Sequence, residues 1–205
     1  MLYLCRMEGI SLGVAAGVIH IVAYADYIRR IINERISPNA ASWSIWAFGA
    51  FLESVSYIFV SGDWVKDILP IVCALCAIAL FIICIIRGHF EKLSKLEWFL
   101  VISDCIVLII WFITNSALIA NILFVLTCLI SFIPIFIHVY KDPRVEHALP
   151  WFMWSGAYLL MTLTVLTRWQ KWEDLLYPLV FLILHLGVAI LAINWRVRIK
   201  QQKIQ

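Results

Sequence analysis

The chain has 205 residues, of which 64% are apolar and only 14% are charged. This composition excludes an ordinary soluble domain, in which about 25% of residues carry charge. The formal net charge is +3, and no basic stripe exists apart from short loops, so a nucleic-acid partner is excluded as well.

The apolar residues form seven runs, each close to the ~20 residues that a helix needs to cross ~30 Å of hydrocarbon. In chain order the runs are 9–28, 41–60, 67–86, 96–113, 117–139, 149–167 and 174–195. Little more than Thr114-Asn115-Ser116 separates the fourth run from the fifth, which predicts a tight helical hairpin. We therefore predict an all-α polytopic membrane protein with seven transmembrane helices.

The second half of the chain repeats landmarks of the first half at one constant spacing. Trp43 and Trp46 recur 108 positions later as Trp151 and Trp154, and the interval from Trp64 to Pro70 recurs as Trp172 to Pro178. Such a repeat predicts a triple-helix bundle in 1–88, a linker transmembrane helix in 89–116, and a second bundle with a cytoplasmic tail in 117–205. One linker crossing brings the second bundle in parallel to the first, giving a 3+1+3 order.

The distribution of Lys and Arg predicts the orientation, because positive loop residues are retained in the cytoplasm. Twelve such residues against four place the N-terminus outside and the C-terminus in the cytoplasm. Short loops and the absence of Asn-x-Ser/Thr sites favour a bacterial inner membrane. The twelve are Arg29, Arg30, Arg35, Arg87, Lys92, Lys95, Lys141, Arg144, Arg196, Arg198, Lys200 and Lys203, and the four are Arg6, Lys66, Arg168 and Lys171.

Motifs of covalent chemistry are absent from the sequence. There is no Gly-rich phosphate loop, no His/Cys cluster with metal-ligand spacing and no nucleophile elbow. The six cysteines lie almost entirely in apolar runs, where a thiol behaves as a small hydrophobe. We predict a protein that is not an enzyme and has no cofactor or metal; an intramembrane enzyme would have Glu53, His20 and His185 as its catalytic set.

Ionisable residues inside the apolar runs are the candidates for function, because a charge in hydrocarbon is costly and usually faces a cavity or a partner. Glu53 lies midway along the second run, and Asp104 lies at a similar depth in the linker helix. His20 and His185 are either pathway residues or neutral histidines bonded to a neighbouring helix. Asp104 is either functional or a residue that joins helices or protomers. Asp26 is a weaker candidate, since Arg29 and Arg30 follow one turn later.

Helical spacing joins Glu53 to the tryptophans. Trp43, Trp46, Ala50, Glu53 and Tyr57 share one stripe of the second helix, and the repeat supplies Trp151, Trp154, Tyr158, Met161 and Val165 in the sixth. We predict that a solute binds Trp46, Glu53, Trp154, Tyr158, His20 and His185. An aromatic belt at the two membrane boundaries accounts for the other tryptophans, namely Trp43, Trp98, Trp151 and Trp195 at the inner boundary and Trp64, Trp111, Trp169 and Trp172 at the outer one.

Proline deep in the fifth run predicts a kink, because Pro134 removes a backbone hydrogen bond. A kink at that depth can act as a hinge.

Several short segments resemble the PQ-loop pattern. They are Phe132-Ile133-Pro134-Ile135, Tyr140-Lys141, Leu149-Pro150 with Glu146 before it, and Trp154-Ser155-Gly156. The 3+1+3 count also resembles the clan of the SWEET sugar transporters, the PnuC vitamin transporters and many uncharacterised bacterial proteins. The resemblance implies a hinge at Pro134, a solute between the triplets and a pocket bordered by Trp46 and Trp154. Asp26 stands where the first triplet would carry the equivalent proline.

The favoured function is therefore transport of a small polar or aromatic solute, such as a sugar, vitamin or nucleoside, by a facilitator or a proton-coupled carrier. The expected partners are the lipid bilayer and that solute, with a homo-oligomer left open. The alternative is a non-transporting receptor-like or scaffold module. Asp104 on a lipid-facing surface would favour the scaffold, whereas Glu53 facing a cavity between the bundles would favour transport.

Overall fold

A computed structural model describes residues 2–33, 40–87 and 92–202, with the side chains of 2–7, 41–42, 144 and 194–202 left undescribed. Some predictions therefore cannot be placed: Arg35, Lys203 and the boundary at residue 88 lie outside the described residues. The same holds for the side chains of Arg6, Arg144, Trp195, Arg196, Arg198 and Lys200.

The described residues are almost entirely helical, and none of them lies in a strand. The helices are α1 (Leu2–Ile32), α2 (Ala40–Ser61), α3 (Trp64–Ile86), α4 (Lys95–Thr114), α5 (Ala117–Ser131), α6 (Ile133–Lys141), α7 (Ala148–Thr167) and α8 (Leu176–Gln202). Two 3₁₀ turns, Pro143–Val145 and Trp172–Leu175, precede α7 and α8.

These helices form seven candidate membrane-spanning segments, the number that the hydropathy of the sequence predicts, because α5 and α6 together make one segment. Each is long and apolar enough to cross a bilayer: Glu8–Ile32, Trp43–Ser61, Trp64–Ile86, Lys95–Thr114, Ala117–Lys141, Ala148–Thr167 and Trp172–Ile193. By length and composition the chain is an integral membrane protein. Every predicted run overlaps one of the seven segments.

Local capping explains where α4 and α5 meet. Ser94 and Glu97 form a reciprocal capping box at the start of α4, and Asn115 ends that helix in the left-handed conformation with φ 51°. Ser116 then accepts a hydrogen bond from the Ile119 amide and caps α5. The predicted tight hairpin between the fourth and fifth runs is confirmed.

The predicted kink at Pro134 is also present. The span Ala117–Lys141 is interrupted at Phe132, between the end of α5 and the start of α6. Pro134 has no amide hydrogen to donate to the carbonyl four residues before it, and the Phe132 amide divides its bonding between the Cys128 and Leu129 carbonyls at 3.2 and 3.3 Å. The break lies at the depth of the cavity described below.

The helices do not pack simply against their neighbours in the sequence. α3 lies against both α1 and α2, and α8 lies against α5, α6 and α7. The two halves meet where α1 packs on α7 and α2 packs on α5. α4 lies at the flank of the protein. In its most apolar stretch 17% is buried inside the protein, compared with 56% in α2 and in α7.

Candidate functional site

A cavity lies inside the protein, and all seven spans contribute to its lining. It encloses about 690 Å³ of space between atoms, its mouth included. The lining is mainly aromatic and aliphatic, with a small number of polar groups, as is typical of small-molecule sites.

Tryptophans from α2 and α7 form the aromatic part of this lining. Trp43 and Trp46 are three residues apart on α2, and Trp151 and Trp154 repeat that spacing on α7, so each pair points to one side of its helix. The ring centroids are 5.1 Å apart within each pair. Trp46 also stacks on Phe132, with centroids 5.3 Å apart and planes 13° from parallel.

Glu53 is the first acid of the cavity and is 1% exposed. Asn121 on α5 donates through Nδ2 to Glu53 Oε1 at 3.1 Å and to Ser56 Oγ at 3.1 Å. This bridge between α2 and α5 fixes the rotamer of Glu53. The carboxyl group is therefore held in place rather than free to turn away from the cavity.

Asp104 is the second acid of the cavity and is 2% exposed, so it does not lie on a lipid-facing surface. Thr127 Oγ1 on α5 donates to Asp104 Oδ1 at 2.7 Å. Asp104 Oδ2 lies 3.5 Å from the position that a Cβ would take at Gly49, which is one turn before Glu53 on α2. Both acids therefore approach the same side of α2, about one helical turn apart.

Five of the six predicted solute-binding residues line the cavity: Trp46, Glu53, Trp154, Tyr158 and His185. The sixth, His20, lies behind it, with ring contacts to Tyr24, Trp154 and Tyr158.

The two histidines differ in their bonding. Nδ1 of His185 lies 2.7 Å from the Phe181 carbonyl oxygen, whereas both ring nitrogens of His20 are buried without a described hydrogen-bond partner. His20 therefore contacts three rings of the lining, those of Tyr24, Trp154 and Tyr158, without lining the cavity itself.

Asp26 and Pro134 lie outside the cavity lining. Arg30 Nε lies 2.7 Å from Asp26 Oδ2, so the predicted neutralisation of Asp26 by an arginine one turn later is found. Pro134 follows Phe132, whose ring lines the cavity. Movement at this helix break would move that ring directly.

Two tryptophans assigned to the aromatic belt are not belt residues. Trp43 is 5% exposed and Trp151 is 0% exposed, because both belong to the stripe that faces the other half of the protein. Trp151 Nε1 donates to Glu146 Oε2 at 2.9 Å. Four other tryptophans are more than half exposed, as a belt requires: Trp64, Trp98, Trp169 and Trp172.

Glu146 is a site residue that sequence reasoning quoted only as part of a motif. Besides Trp151, it accepts a hydrogen bond from Tyr27 Oη on α1 at 3.1 Å. Burial raises the pKa of Glu146 to about 7, although the hydrogen bonds from Trp151 and Tyr27 oppose that rise. This acid therefore titrates near neutral pH at the junction of α1 with the start of α7.

A second polar cluster, at the opposite end of the helices from Glu146, was missed. Lys66 Nζ donates to Asp174 Oδ2 at 2.5 Å and to Gln170 Oε1 at 3.1 Å. Tyr57 Oη donates to the Asp174 carbonyl at 2.9 Å. Counting Lys66 as a loop charge was wrong, because its side chain is buried in the first turn of α3.

Arg168 and Asp63 close the same end of the protein. Nε and Nη2 of Arg168 donate to the two oxygens of Asp63 at 2.7 and 2.9 Å. Burial alone would raise the pKa of Asp63, but the bonds from Arg168 and from the Val65 amide hold it below its usual value. The paired loop residues link the start of α3 to the end of α7.

Trp154 Nε1 is buried without a described hydrogen-bond partner, although its residue lines the cavity. Burying an N–H donor of this kind costs folding free energy unless an acceptor atom forms a hydrogen bond with it. Among the described residues, no group of three or more His, Cys, Asp or Glu could hold a metal ion. The site is thus equipped for binding through aromatic faces, two acids and one open donor.

Comparison with known proteins identifies no relative: no family model, curated protein or solved structure matches the chain.

Proposed function

We propose that this protein is a transporter that carries a small polar or aromatic solute across the membrane by way of the central cavity. The observation that supports this most is that all seven spans line one cavity containing Glu53, Asp104 and unpaired Trp154 Nε1. A motion of any span changes this cavity. Transport would proceed by rearrangement of helices, without a covalent step.

The proposed architecture is two parallel triple-helix bundles, α1–α3 and α5–α8, joined by α4. The packing supports it, because α1 on α7 and α2 on α5 are the same contact once the repeat is applied. Lys66 and Asp174 support it too, since they are 108 positions apart, like the tryptophan pairs, and touch. Equivalent positions of two repeats meet only near the axis that relates them.

Polar contacts on both sides of the cavity support alternating access. Eight residues, about 12 Å of helix at 1.5 Å per residue, separate Glu53 from Ser61, which bonds to Asp67 beside Lys66. On the other side Glu146 joins Tyr27 of α1 to Trp151 of α7. We propose that the two clusters open in turn as the bundles rock, with the break at Phe132 as a hinge.

We further propose an N-terminus outside and a C-terminus in the cytoplasm of a bacterial inner membrane. The support for this orientation is the count of Lys and Arg, twelve on one side against four on the other, because acidic residues contribute little to the retention of loops in the cytoplasm. Membership of the PQ-loop group, with its hinge at Pro134, remains part of this proposal.

The scaffold alternative has less support. It depends on a polar residue that faces lipid, and its leading candidate was Asp104. That acid is buried, bonded to Thr127 and part of the cavity lining.

Purified protein in liposomes tests the proposal. Candidate sugars, nucleosides and vitamins are first screened by thermal shift, because a ligand specific for the folded state stabilises it by mass action. Uptake of the stabilising compounds is then measured for the wild type, Glu53→Gln and Trp46→Ala. Trp98→Ala, which changes an exposed tryptophan of α4, is the matched control.

We expect uptake by the wild type and the control, and a loss of at least about tenfold in the two cavity variants. Normal uptake by both cavity variants would contradict the proposed site. The absence of uptake of every stabilising compound would contradict transport.

A further inference from the structure

The charged residues that line the cavity indicate the charge of the solute that it would bind. Glu53 and Asp104 are the two acidic residues of its lining, and none of the described lining residues is Lys or Arg. An ionised carboxylate in a low-dielectric cavity is stabilised by a nearby cation and destabilised by an anion. The lining thus favours a positively charged solute over a negative one.

Nearby basic side chains do not neutralise these acids. Lys66 is bonded to Asp174, Arg168 to Asp63, and Arg30 to Asp26. The described partners of Glu53 and Asp104 are neutral donors, namely Asn121 and Thr127. Neutral donors orient a carboxyl group but do not supply the positive charge that would balance it.

Aromatic rings surround the acids on several sides. Trp46, Phe132, Trp154 and Tyr158 all line the same cavity, on α2, at the α5–α6 break and on α7. The face of an aromatic ring attracts a cation, most strongly when water is excluded, and tryptophan is the best of these rings. An aromatic lining therefore adds to the effect of the acids for an organic cation, whereas it cannot replace the hydration shell of an inorganic ion.

We infer, on the basis of the proposed function, that the solute is a small organic cation that carries a hydrogen-bond acceptor. Glu53 and Asp104 bind its positive group, the rings enclose its body, and Trp154 Nε1 donates to its acceptor atom. Asp104 Oδ2 lies beside Gly49, 3.5 Å from the position of a Cβ there, and so reaches α2 one turn before Glu53.

Three probes of nearly equal shape and different charge test this inference. They are 4-methoxybenzamidine, which is cationic at pH 7, neutral 4-methoxybenzamide and anionic 4-methoxybenzoate. Binding to the purified full chain is measured by titration calorimetry and by thermal shift. We expect the cation to bind at least about tenfold more tightly than the amide, since bonds to charged groups are the stronger ones, and the anion not to bind.

Charge-removing variants identify the groups responsible. Glu53→Gln keeps an oxygen that can accept from Asn121, and Asp104→Asn keeps one that can accept from Thr127, so both variants preserve the local bonding. Each is expected to weaken binding of the cation by about tenfold and binding of the amide by clearly less, so that the preference for the cation falls. Asp26→Asn, an acid outside the cavity, is the matched control and should bind like the wild type.

The relative affinities of the three probes decide whether the solute is a cation, and the variants decide which acids bind it. Equal binding of cation and amide, or tighter binding of the anion, overturns the inference while leaving transport of another solute intact. Binding of the cation that is unaffected by either variant overturns the assigned acids. Selective binding without uptake of radiolabelled 4-methoxybenzamidine in liposomes supports the cation site and contradicts transport of that compound. Unfolding of a variant is detected by its melting temperature without ligand, and the probe series on the wild type then decides.

Discussion

Lys66 and Asp174 lie 108 positions apart in the sequence and bond to each other, with Nζ 2.5 Å from Oδ2 and both side chains fully buried. A buried pair of this kind joins the two halves of the protein at one end. Removing one partner leaves an uncompensated charge, whereas removing both does not. The pair thus reports directly on how the halves are held together.

Exchanging the two charges of this pair should restore most of the stability that is lost when only Lys66 is replaced. Lys66→Met is expected to destabilise the protein by about 3–5 kcal/mol, because Asp174 is left buried and unpaired. The double variant Lys66→Asp with Asp174→Lys should recover most of this loss, since equivalent positions near one axis have similar surroundings. Thermal unfolding in detergent measures both, and Lys171→Met, an exposed lysine, is the control. A double variant that is no more stable than Lys66→Met would contradict the direct pairing.

Glu146 predicts a pH dependence of stability near neutrality. Its pKa is raised by burial to about 7, so the folded state favours the protonated acid. Its contribution is fully present below about pH 4 and is lost as the pH rises through 7, by up to about 3 kcal/mol. Melting temperatures between pH 5 and 8 should fall in the wild type and much less in Glu146→Gln. Glu8→Gln, an exposed acid, should keep the wild-type slope; a wild-type slope in Glu146→Gln would refute the assignment.

Gly13 is a point of close approach between α1 and α3. A Cβ at this residue would lie 2.9 Å from the Val65 carbonyl oxygen and 2.8 Å from Val65 Cγ1, so backbone has to move. Gly13→Ala is expected to destabilise the protein by about 1–3 kcal/mol, as overpacking does. Gly156→Ala is the matched control, since a Cβ at this residue meets nothing within 4 Å. Alanine also has a higher helix propensity than glycine, so this variant should not be destabilised. Equal melting temperatures of the two variants would contradict this account.

Gly49 keeps the cavity open next to Asp104. A methyl group at this position lies in ordinary contact with Asp104 Oδ2, at 3.5 Å, and is tolerated, whereas a larger side chain fills the space between Asp104 and Cys128. Gly49→Ala should therefore keep most of the binding of 4-methoxybenzamidine, and Gly49→Leu should reduce it by about tenfold or more. Calorimetric titration measures this, with Gly156→Leu as control. Undiminished binding in folded Gly49→Leu would place the probe elsewhere.

Some of the candidate site was readable from helical spacing. The α2 residues Trp43, Trp46, Ala50 and Glu53 line one cavity with Trp151, Trp154 and Tyr158 of α7. The remaining members of the two predicted stripes, Tyr57, Met161 and Val165, are not part of that lining. His20 shares the depth of this stripe but lies one layer behind it, because the rotation of α1 turns Tyr24 toward the cavity instead. Hydropathy carries no information on the rotation of a helix that is apolar on all sides, and this is why the placement of Trp43 and Trp151 in a belt was wrong.

By itself, the sequence determined that seven helices are long and apolar enough to cross a membrane and that acids lie among apolar residues. These features follow from the cost of exposing polar groups to hydrocarbon, which depends on composition along the chain. Only the tertiary structure decided which polar groups meet: Lys66 with Asp174, Glu146 with Trp151, and Asp104 with Thr127 inside the cavity. Such pairings depend on the rotation and depth of each helix against its neighbours, to which the hydropathy of a single segment is insensitive.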